Sequence, residues 1–147
     1  MATITDKRMG KVTTTIIITN RIDQILAERG FITADQIRSI NLKNVLVDTG
    51  ATRLCLPEDI INQLGLVLQG EVDVKIAVGV QKVRIFRELS LCVEGREGTF
   101  NCIELPAGTD PLLGLIPFED LGLEPDLKNQ RLRLLPMEGK ETYLTVL

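Results

Sequence analysis

The residues most able to do chemistry lie in one short stretch, where the apolar residues 45–47 are followed at once by Asp48, Thr49 and Gly50. Apolar and β-branched residues predict a buried strand, and a carboxylate at the end of such a strand is costly unless it is used there. Carboxylates can exchange protons with water, so this stretch could support hydrolysis. Gly50 would let the backbone turn sharply or approach another chain closely. The same residues could instead form a strand that ends in an ordinary type I turn.

The composition excludes most other hydrolytic sites. The chain has 147 residues, which is enough for one domain, and it contains no histidine. This excludes Ser-His-Asp and Cys-His hydrolases. It also removes the usual zinc ligands, because the three cysteines lack C-x-x-C spacing. We therefore expect no metal and no other cofactor, with Cys55, Cys92 and Cys102 present as thiols.

Charge and hydropathy also limit the partners. The net charge is −3 and aromatic residues make up only 3% of the chain, which predicts no nucleic-acid binding. No apolar run approaches the ~20 residues that span a membrane, and the first residues lack a signal-peptide pattern. These features predict a cytoplasmic protein without a membrane partner.

The order of the motifs resembles the retropepsin-like aspartic proteases, the family of retroviral proteases and their small cellular relatives. The resemblance covers roughly residues 43–135, with a strand, Asp-Thr-Gly-Ala, a hairpin, a second apolar motif and a helix in that order. In that family each subunit of a homodimer supplies one Asp-Thr-Gly. The resemblance therefore implies that Asp48 is the catalytic carboxylate and that Thr49 donates its hydroxyl across the dimer axis. It implies that Gly50 lets the two loops touch.

The second motif, Leu112-Leu113-Gly114, resembles the family's hydrophobic-hydrophobic-glycine segment. The resemblance implies that it threads through the fold and supports the catalytic loop. Retroviral proteases also pair an acidic residue directly after Asp-Thr-Gly-Ala with an arginine directly after the second glycine. Here these positions are Thr52 and Leu115, so both partners are absent together and no charge is left unpaired. Some other contact must then support the dimer.

The surrounding elements predict an all-β fold with one or two short helices. Residues 12–19 are strongly β-prone. Residues 20–40 form a helical insertion in which Asn20 caps a short helix with an apolar face. Pro57 opens another helix at its first position and Gly65 closes it. The resemblance implies that the strands form a small closed β-barrel that works as a homodimer.

The chain is predicted to be a single retropepsin-like domain over residues 1–147. Residues 1–11 are expected to be mobile. Residues 136–147 include a C-terminal strand, residues 143–147. That strand could join a sheet between subunits, or it could close its own barrel without a partner.

Two hairpins follow the first helix-loop unit. The alternation of residues 71–87 matches apolar faces when Val83 lies opposite either Val74 or Ile76, and the pattern does not choose between them. A second hairpin folded around residues 95–98 would bring Cys92 and Cys102 nearly opposite each other.

The first hairpin occupies the position of the family's flap, the lid over bound peptide. The resemblance implies that Ala51, Val78, Gly79 and Val80 bind substrate, and the hairpin could equally be a purely structural part of the barrel. The apolar side chains at Val78, Val80, Leu113 and Ile116 predict a preference for extended, apolar peptides.

The sequence thus predicts an aspartic endopeptidase in which two Asp48 carboxylates, one from each subunit, activate a water molecule. An alternative is a homodimeric module on the same fold that binds peptides without cutting them. A third possibility is a structural dimer in which Asp48 only caps backbone amides.

Overall fold

The computed structural model describes residues 11–136, and over this range the protein is mostly β-strand. This confirms the predicted β-rich class, with three α-helices rather than the one or two predicted. The elements are β1 Val12–Asn20, α1 Arg21–Glu28, a 3₁₀ helix Ala34–Gln36, β2 Ser39–Val47, β3 Leu54–Pro57, α2 Glu58–Leu64, β4 Val67–Ile76, β5 Gly79–Val93, β6 Arg96–Leu105, β7 Leu112–Leu113, α3 Leu115–Asp120, β8 Leu123–Asp126 and β9 Arg131–Leu134.

Seven of these strands form one sheet in the order β1-β2-β7-β3-β6-β5-β4, and β1 also pairs with β5. Most neighbouring strands are antiparallel, whereas β2–β7 and β3–β6 are parallel. The strands β8 and β9 form a separate hairpin. The short strand β7 therefore lies between β2 and β3, the two strands that flank the Asp48 loop.

The core lies beneath this sheet and is almost entirely aliphatic. Strands β1, β3 and β5 and helix α2 contribute most of its fully buried side chains. The side chains with no exposed surface include Ile16, Ile18, Leu54, Leu56, Leu64, Leu89, Leu91 and Leu113.

The predicted cap at Asn20 is confirmed. Its side-chain oxygen accepts a hydrogen bond of 2.9 Å from the Asp23 backbone N–H, and its amide donates one of 2.9 Å to the Leu64 carbonyl. The helix it caps differs from the prediction in what it buries. Ile22 and Ile25 are more than a third exposed, while Asp23 is only 5% exposed. The inward face of α1 is therefore set by a polar contact and not by its apolar stripe.

That contact is a bidentate ion pair between Asp23 and Arg38. The guanidinium donates from Nε and Nη2 at 2.9 and 3.0 Å, and the Arg38 backbone N–H adds a third bond of 3.0 Å. These hydrogen bonds hold the pKa of Asp23 below its usual value, against the opposing effect of burial. The pair fixes α1 to the residues that lead into β2, and so fixes the start of the strand that carries Asp48.

Replacing Asp23 with asparagine should lower the free energy of unfolding by about 2 kcal/mol, because Arg38 loses its carboxylate and a buried network is broken. Urea denaturation at pH 7 measures this. The matched control is Asp73→Asn, which removes the exposed pair with Lys82 and should cost under about 0.5 kcal/mol. Because folding lowers the pKa of Asp23, its ionised carboxylate stabilises the folded protein at pH values above the ordinary pKa of an aspartate. The difference between parent and Asp23→Asn should therefore shrink as the pH falls below about 4. Equal losses of unfolding free energy in Asp23→Asn and Asp73→Asn would contradict the stabilising role given to the Asp23–Arg38 pair.

Helices α2 and α3 begin and end in the same way, and their sequences, at residues 56–66 and 116–123, are similar. Each follows a short buried strand, β3 or β7, and each ends near a glycine in the left-handed region, Gly65 with φ 63° or Gly122 with φ 68°. Pro57 is the last residue of β3 and the N-cap of α2, so the helix begins at Glu58, one position later than predicted. The chain thus uses the strand–helix unit twice.

Both predicted registers of the β4–β5 hairpin are wrong. Val83 pairs with Val72, and Ile76 pairs with Gly79, so the two-residue turn lies at residues 77–78. The turn falls before the glycine because Gly79, with φ 133°, takes up the left-handed geometry as the second strand begins. The apolar faces still match, since the register differs from one prediction by two residues.

The predicted pairing of Cys92 with Cys102 is also wrong. Cys92 lies opposite Glu97, and Cys102 lies opposite Phe86. The β5–β6 turn is tighter than the glycine spacing suggested, because it is centred on residues 94–95. An irregularity between Phe86 and Leu89 then shifts the pairing again. All three cysteines are free thiols.

Two predictions concern chain ends. The expected mobility of residues 1–11 falls almost wholly outside the described residues, and so does the C-terminal strand at residues 143–147. Within the part of the chain that is described, none of the helices is both long enough and apolar enough to cross a membrane.

Candidate active site

The Asp48 loop connects β2 to β3 and is held in a tight turn. The Ala51 backbone N–H donates to the Asp48 carbonyl at 3.1 Å, and the Gly50 N–H donates to the Asp48 carboxylate oxygen Oδ1 at 2.8 Å. Asp48 is half-buried, whereas Thr49 and Gly50 are exposed. The Asp48 carboxylate therefore lies directly after the buried end of β2, accepts one backbone hydrogen bond and is followed by the exposed residues of the turn.

The segment 112–114 contacts this loop directly. Leu112 and Leu113 of β7 pair in parallel with the last two residues of β2, and the Asp48 N–H donates to the Leu113 carbonyl at 3.0 Å. Beyond Gly114, the Leu115 N–H donates to the Ala51 carbonyl at 2.8 Å. The loop is thus hydrogen-bonded at both of its ends to residues more than sixty positions later in the chain.

Gly114 is required here by space. A Cβ atom at this position would lie 2.3 Å from the Arg53 carbonyl oxygen and 2.8 Å from the Ala51 carbonyl oxygen, both backbone atoms. Its φ of −95° is ordinary, so backbone freedom is not the reason. Only a residue without a side chain lets the 112–114 segment come this close to the Asp48 loop.

Thr52 and Leu115, the positions compared above with the charge pair of retroviral proteases, each take part in a separate backbone hydrogen bond between the loop and the start of α3. Next to the Leu115 bond, the Ile116 N–H donates to the Thr52 carbonyl at 2.8 Å. The start of helix α3 therefore holds the loop without any ion pair at these positions. Arg53 forms no ion pair within residues 11–136.

A groove of about 770 Å³ lies between the Asp48 loop and the β4–β5 hairpin. Its volume is within the range of small-ligand and peptide sites. The loop residues that follow Asp48 form one wall, and the strand β4 forms the opposite wall. The lining comprises residues 50–53, Cys55, residues 72–76, Gln81, Val83, residues 103–106 and Leu112.

The predicted substrate-binding residues separate into two groups. Ala51 lines the groove, whereas Val78, Gly79 and Val80 lie at the tip of the hairpin and are not part of the lining. Val78 is 90% exposed. The tip is therefore an exposed apolar projection, and its role in binding stays a prediction. Two other residues expected in the lining, Leu113 and Ile116, are absent from it, and Leu113 is fully buried in the core.

Sequence reasoning missed a charged part of the wall. Glu104 lines the groove and receives two hydrogen bonds from the Arg84 guanidinium, of 2.8 and 2.7 Å. The same guanidinium lies 5.3 Å from the centre of the Phe86 ring. The signal available in the sequence was an acidic residue between two apolar residues, Ile103 and Leu105. Its partner lies on another strand and was not readable.

The surroundings of Cys55 and Cys102 disfavour the thiolate, which is the reactive form of cysteine. Burial, followed by the nearby Asp48 charge, raises the pKa of Cys55 to about 11. Burial is also the main cause that raises the pKa of Cys102 to about 12. Cys92 is partly exposed. Cys55 lines the groove, and its thiol donates a hydrogen bond of 3.5 Å to the Arg53 backbone carbonyl, which together with burial disfavours the nucleophilic thiolate.

We expect a thiol reagent at pH 8 to label Cys92 first and to leave Cys55 and Cys102 unlabelled while the protein is folded. With a pKa near 11, only about one Cys55 thiol in a thousand is ionised at that pH. Labelling before and after unfolding in urea, followed by peptide mass spectrometry, gives the number and order of reactive thiols. The control is Cys92→Ser, which should remove the fast reaction altogether. Rapid labelling of Cys55 in the folded protein would contradict the assignment.

Within the described residues no cluster of three or more potential metal ligands occurs. No protein-family model and no curated protein was found to match this chain.

Proposed function

We propose that this protein is an aspartic endopeptidase that acts as a homodimer. The observation that carries the proposal is the position of Asp48. Asp48 directly follows Val47, a buried residue at the end of β2, and sits in a loop fixed by the 112–114 segment. Asp48 and Thr49 are not part of the groove lining, but residues 50–53 of the same loop line this groove of peptide-binding size. A carboxylate held in this way at the edge of a cleft is expected to act on what the cleft binds.

The chemistry needs two copies of the loop. A single carboxylate cannot both accept and donate a proton, but two Asp48 side chains brought close together would share one proton, because like charges at that distance cannot both ionise. The ionised carboxylate takes a proton from a bound water, and the resulting hydroxide attacks the scissile carbonyl carbon. The protonated carboxylate donates to the carbonyl oxygen. The first carboxyl group then passes the proton it took from water to the amide nitrogen, the C–N bond breaks to release the amine, and a hydroxyl proton of the intermediate returns to the second carboxylate, so no covalent enzyme intermediate forms.

Two features support the dimeric arrangement. Thr49 and Gly50 are exposed at the tip of the loop, and the Thr49 hydroxyl has no hydrogen-bond partner within residues 11–136. The loop is thus available to a second copy of itself. We also propose that the strands form a small closed barrel. The additional pairing of β1 with β5 supports this, because it joins the first strand in the sheet order to a strand near the opposite edge.

The test is cleavage of a mixed peptide library by the purified protein from acid to neutral pH, with products read by mass spectrometry and the oligomeric state measured in parallel. We expect cleavage of extended, apolar peptides by a dimer. Ala51 has no hydroxyl to stabilise an ionised carboxylate, so the rate maximum should lie at milder pH than that of pepsin-like enzymes. A maximum near pH 3 would contradict this argument. A dimer that binds peptides but never cleaves them would point instead to the non-catalytic module.

A further inference from the structure

The groove beside the Asp48 loop contains four charged side chains, two of each sign. Both acids already have partners that lie outside the groove lining. Asp73 is paired with Lys82 at 3.2 Å, and Glu104 is held by Arg84 through two hydrogen bonds. Each of the two acids in the groove is therefore already paired with a basic residue that is not part of the lining.

The two bases of the groove are not compensated in this way. Neither Arg53 nor Lys75 forms an ion pair with any residue from 11 to 136. Within the described residues, Arg53 and Lys75 are therefore the two charged residues of the groove lining that are free to pair with a ligand, although the whole chain has a net charge of −3. A cleft concentrates the field of such charges and attracts ligands of opposite sign.

Arg53 is the better placed of the two bases. It belongs to the Asp48 loop and is partly buried, and its backbone is held in place by close packing against Gly114. Lys75 is exposed on β4, on the opposite wall. A guanidinium on a fixed backbone can donate two parallel hydrogen bonds to one carboxylate, whereas the ammonium group of a flexible lysine cannot.

We infer that Arg53, assisted by Lys75, selects peptides that carry a glutamate or aspartate side chain close to the cleaved bond. The inference rests on the proposed function, because it names the substrate class of the same groove. The apolar wall formed by Val72, Val74 and Ile76 then takes the neighbouring side chains. The preferred substrate is thus an extended apolar peptide with one acidic residue.

The test uses blocked octapeptides with two central leucines, alanine elsewhere, and glutamate or glutamine at one of the other six positions. Binding is measured at pH 6 by fluorescence anisotropy to Asp48→Asn, which keeps the groove without turnover, and cleavage is measured with the parent. At one or two positions we expect glutamate to be preferred over glutamine by roughly tenfold in both assays. Arg53→Gln should remove most of this preference, and Lys75→Gln should remove a smaller part. The preference should also weaken as salt is added.

The control is Arg87→Gln, which removes an exposed arginine of β5 outside the groove and should leave the preference unchanged. Equal binding and cleavage of the two peptide series would overturn the inference while leaving the peptidase intact. An equal loss in Arg53→Gln and Arg87→Gln would also overturn it, as would the absence of any binding. Tighter binding of the glutamate series without cleavage by the parent would support the inference and reject the peptidase.

Discussion

Asp48→Asn should reduce peptide cleavage by about a thousandfold or more, because it removes the group that exchanges protons with the attacking water. The substitution should leave the fold in place. The side-chain oxygen that accepts the Gly50 N–H at 2.8 Å is retained in asparagine, so the turn keeps its hydrogen bond. Loss of cleavage with unchanged urea stability is therefore the expected combination, measured as kcat/KM and as the denaturation midpoint.

The control for this variant is Asp110→Asn, which neutralises an exposed carboxylate in the loop before β7 and should change neither quantity. The combination of results also separates the three functions considered for the chain. Cleavage that persists in Asp48→Asn would reject the dyad. Peptide binding without cleavage by either protein would identify a binding module. A parent that neither cleaves nor binds peptides, with a marked loss of stability in Asp48→Ala but not in Asp48→Asn, would mean that Asp48 acts only by capping backbone amides.

Gly114→Ala should damage both stability and activity. Its new Cβ would lie within 3 Å of three backbone atoms of the Asp48 loop, in Arg53 and Ala51, and backbone cannot rotate away as a side chain can. The loop must move, and the Leu115–Ala51 hydrogen bond must lengthen or break. We expect a loss of about 2–4 kcal/mol in the free energy of unfolding. If the protein is the proposed dimeric peptidase, cleavage should fall about a hundredfold or more, because the displaced loop would no longer hold the two Asp48 carboxylates in the geometry that the reaction needs.

A second glycine variant separates these effects from the ordinary cost of replacing glycine. Gly30 has φ 80°, and no heavy atom lies within 4 Å of the place that a Cβ atom would take there. Gly30→Ala should therefore cost about 1–2 kcal/mol through backbone strain alone, with cleavage unchanged. If Gly114→Ala kept full activity, the 112–114 segment would not be the element that positions the loop.

Local signals in the sequence were sufficient for the elements of this fold. Residues 12–19 form a strand because all of their side chains are β-branched and favour extended backbone. Asn20 caps α1, and Gly65 ends α2, because each supplies a backbone or side-chain geometry that few other residues can supply. The motif around Asp48 was equally readable, since a carboxylate directly after an apolar strand is unusual in any setting.

Interactions between distant strands were not readable in the same way. The β4–β5 register depends on which of several residues takes the turn, and shifts of two residues keep the apolar faces matched. The β5–β6 register failed for Cys92 and Cys102 chiefly because the turn uses residues 94–95, where the non-glycine residue Glu94 adopts φ 52°. The Asp23–Arg38 pair joins residues fifteen positions apart through a loop, and amphipathic periodicity instead assigned the inward face of α1 to its isoleucines.

The attachment of the Asp48 loop to the 112–116 segment also determines when the site can exist during synthesis of the chain. The bonds from Asp48 to Leu113 and from Leu115 to Ala51 join parts of the chain that leave the ribosome far apart in time. A nascent chain that stops before Leu112 contains the complete Asp-Thr-Gly motif but lacks the strand that fixes it. Most of the protein must therefore be made before its loop is ordered, and unfinished chains would carry the motif without its activity.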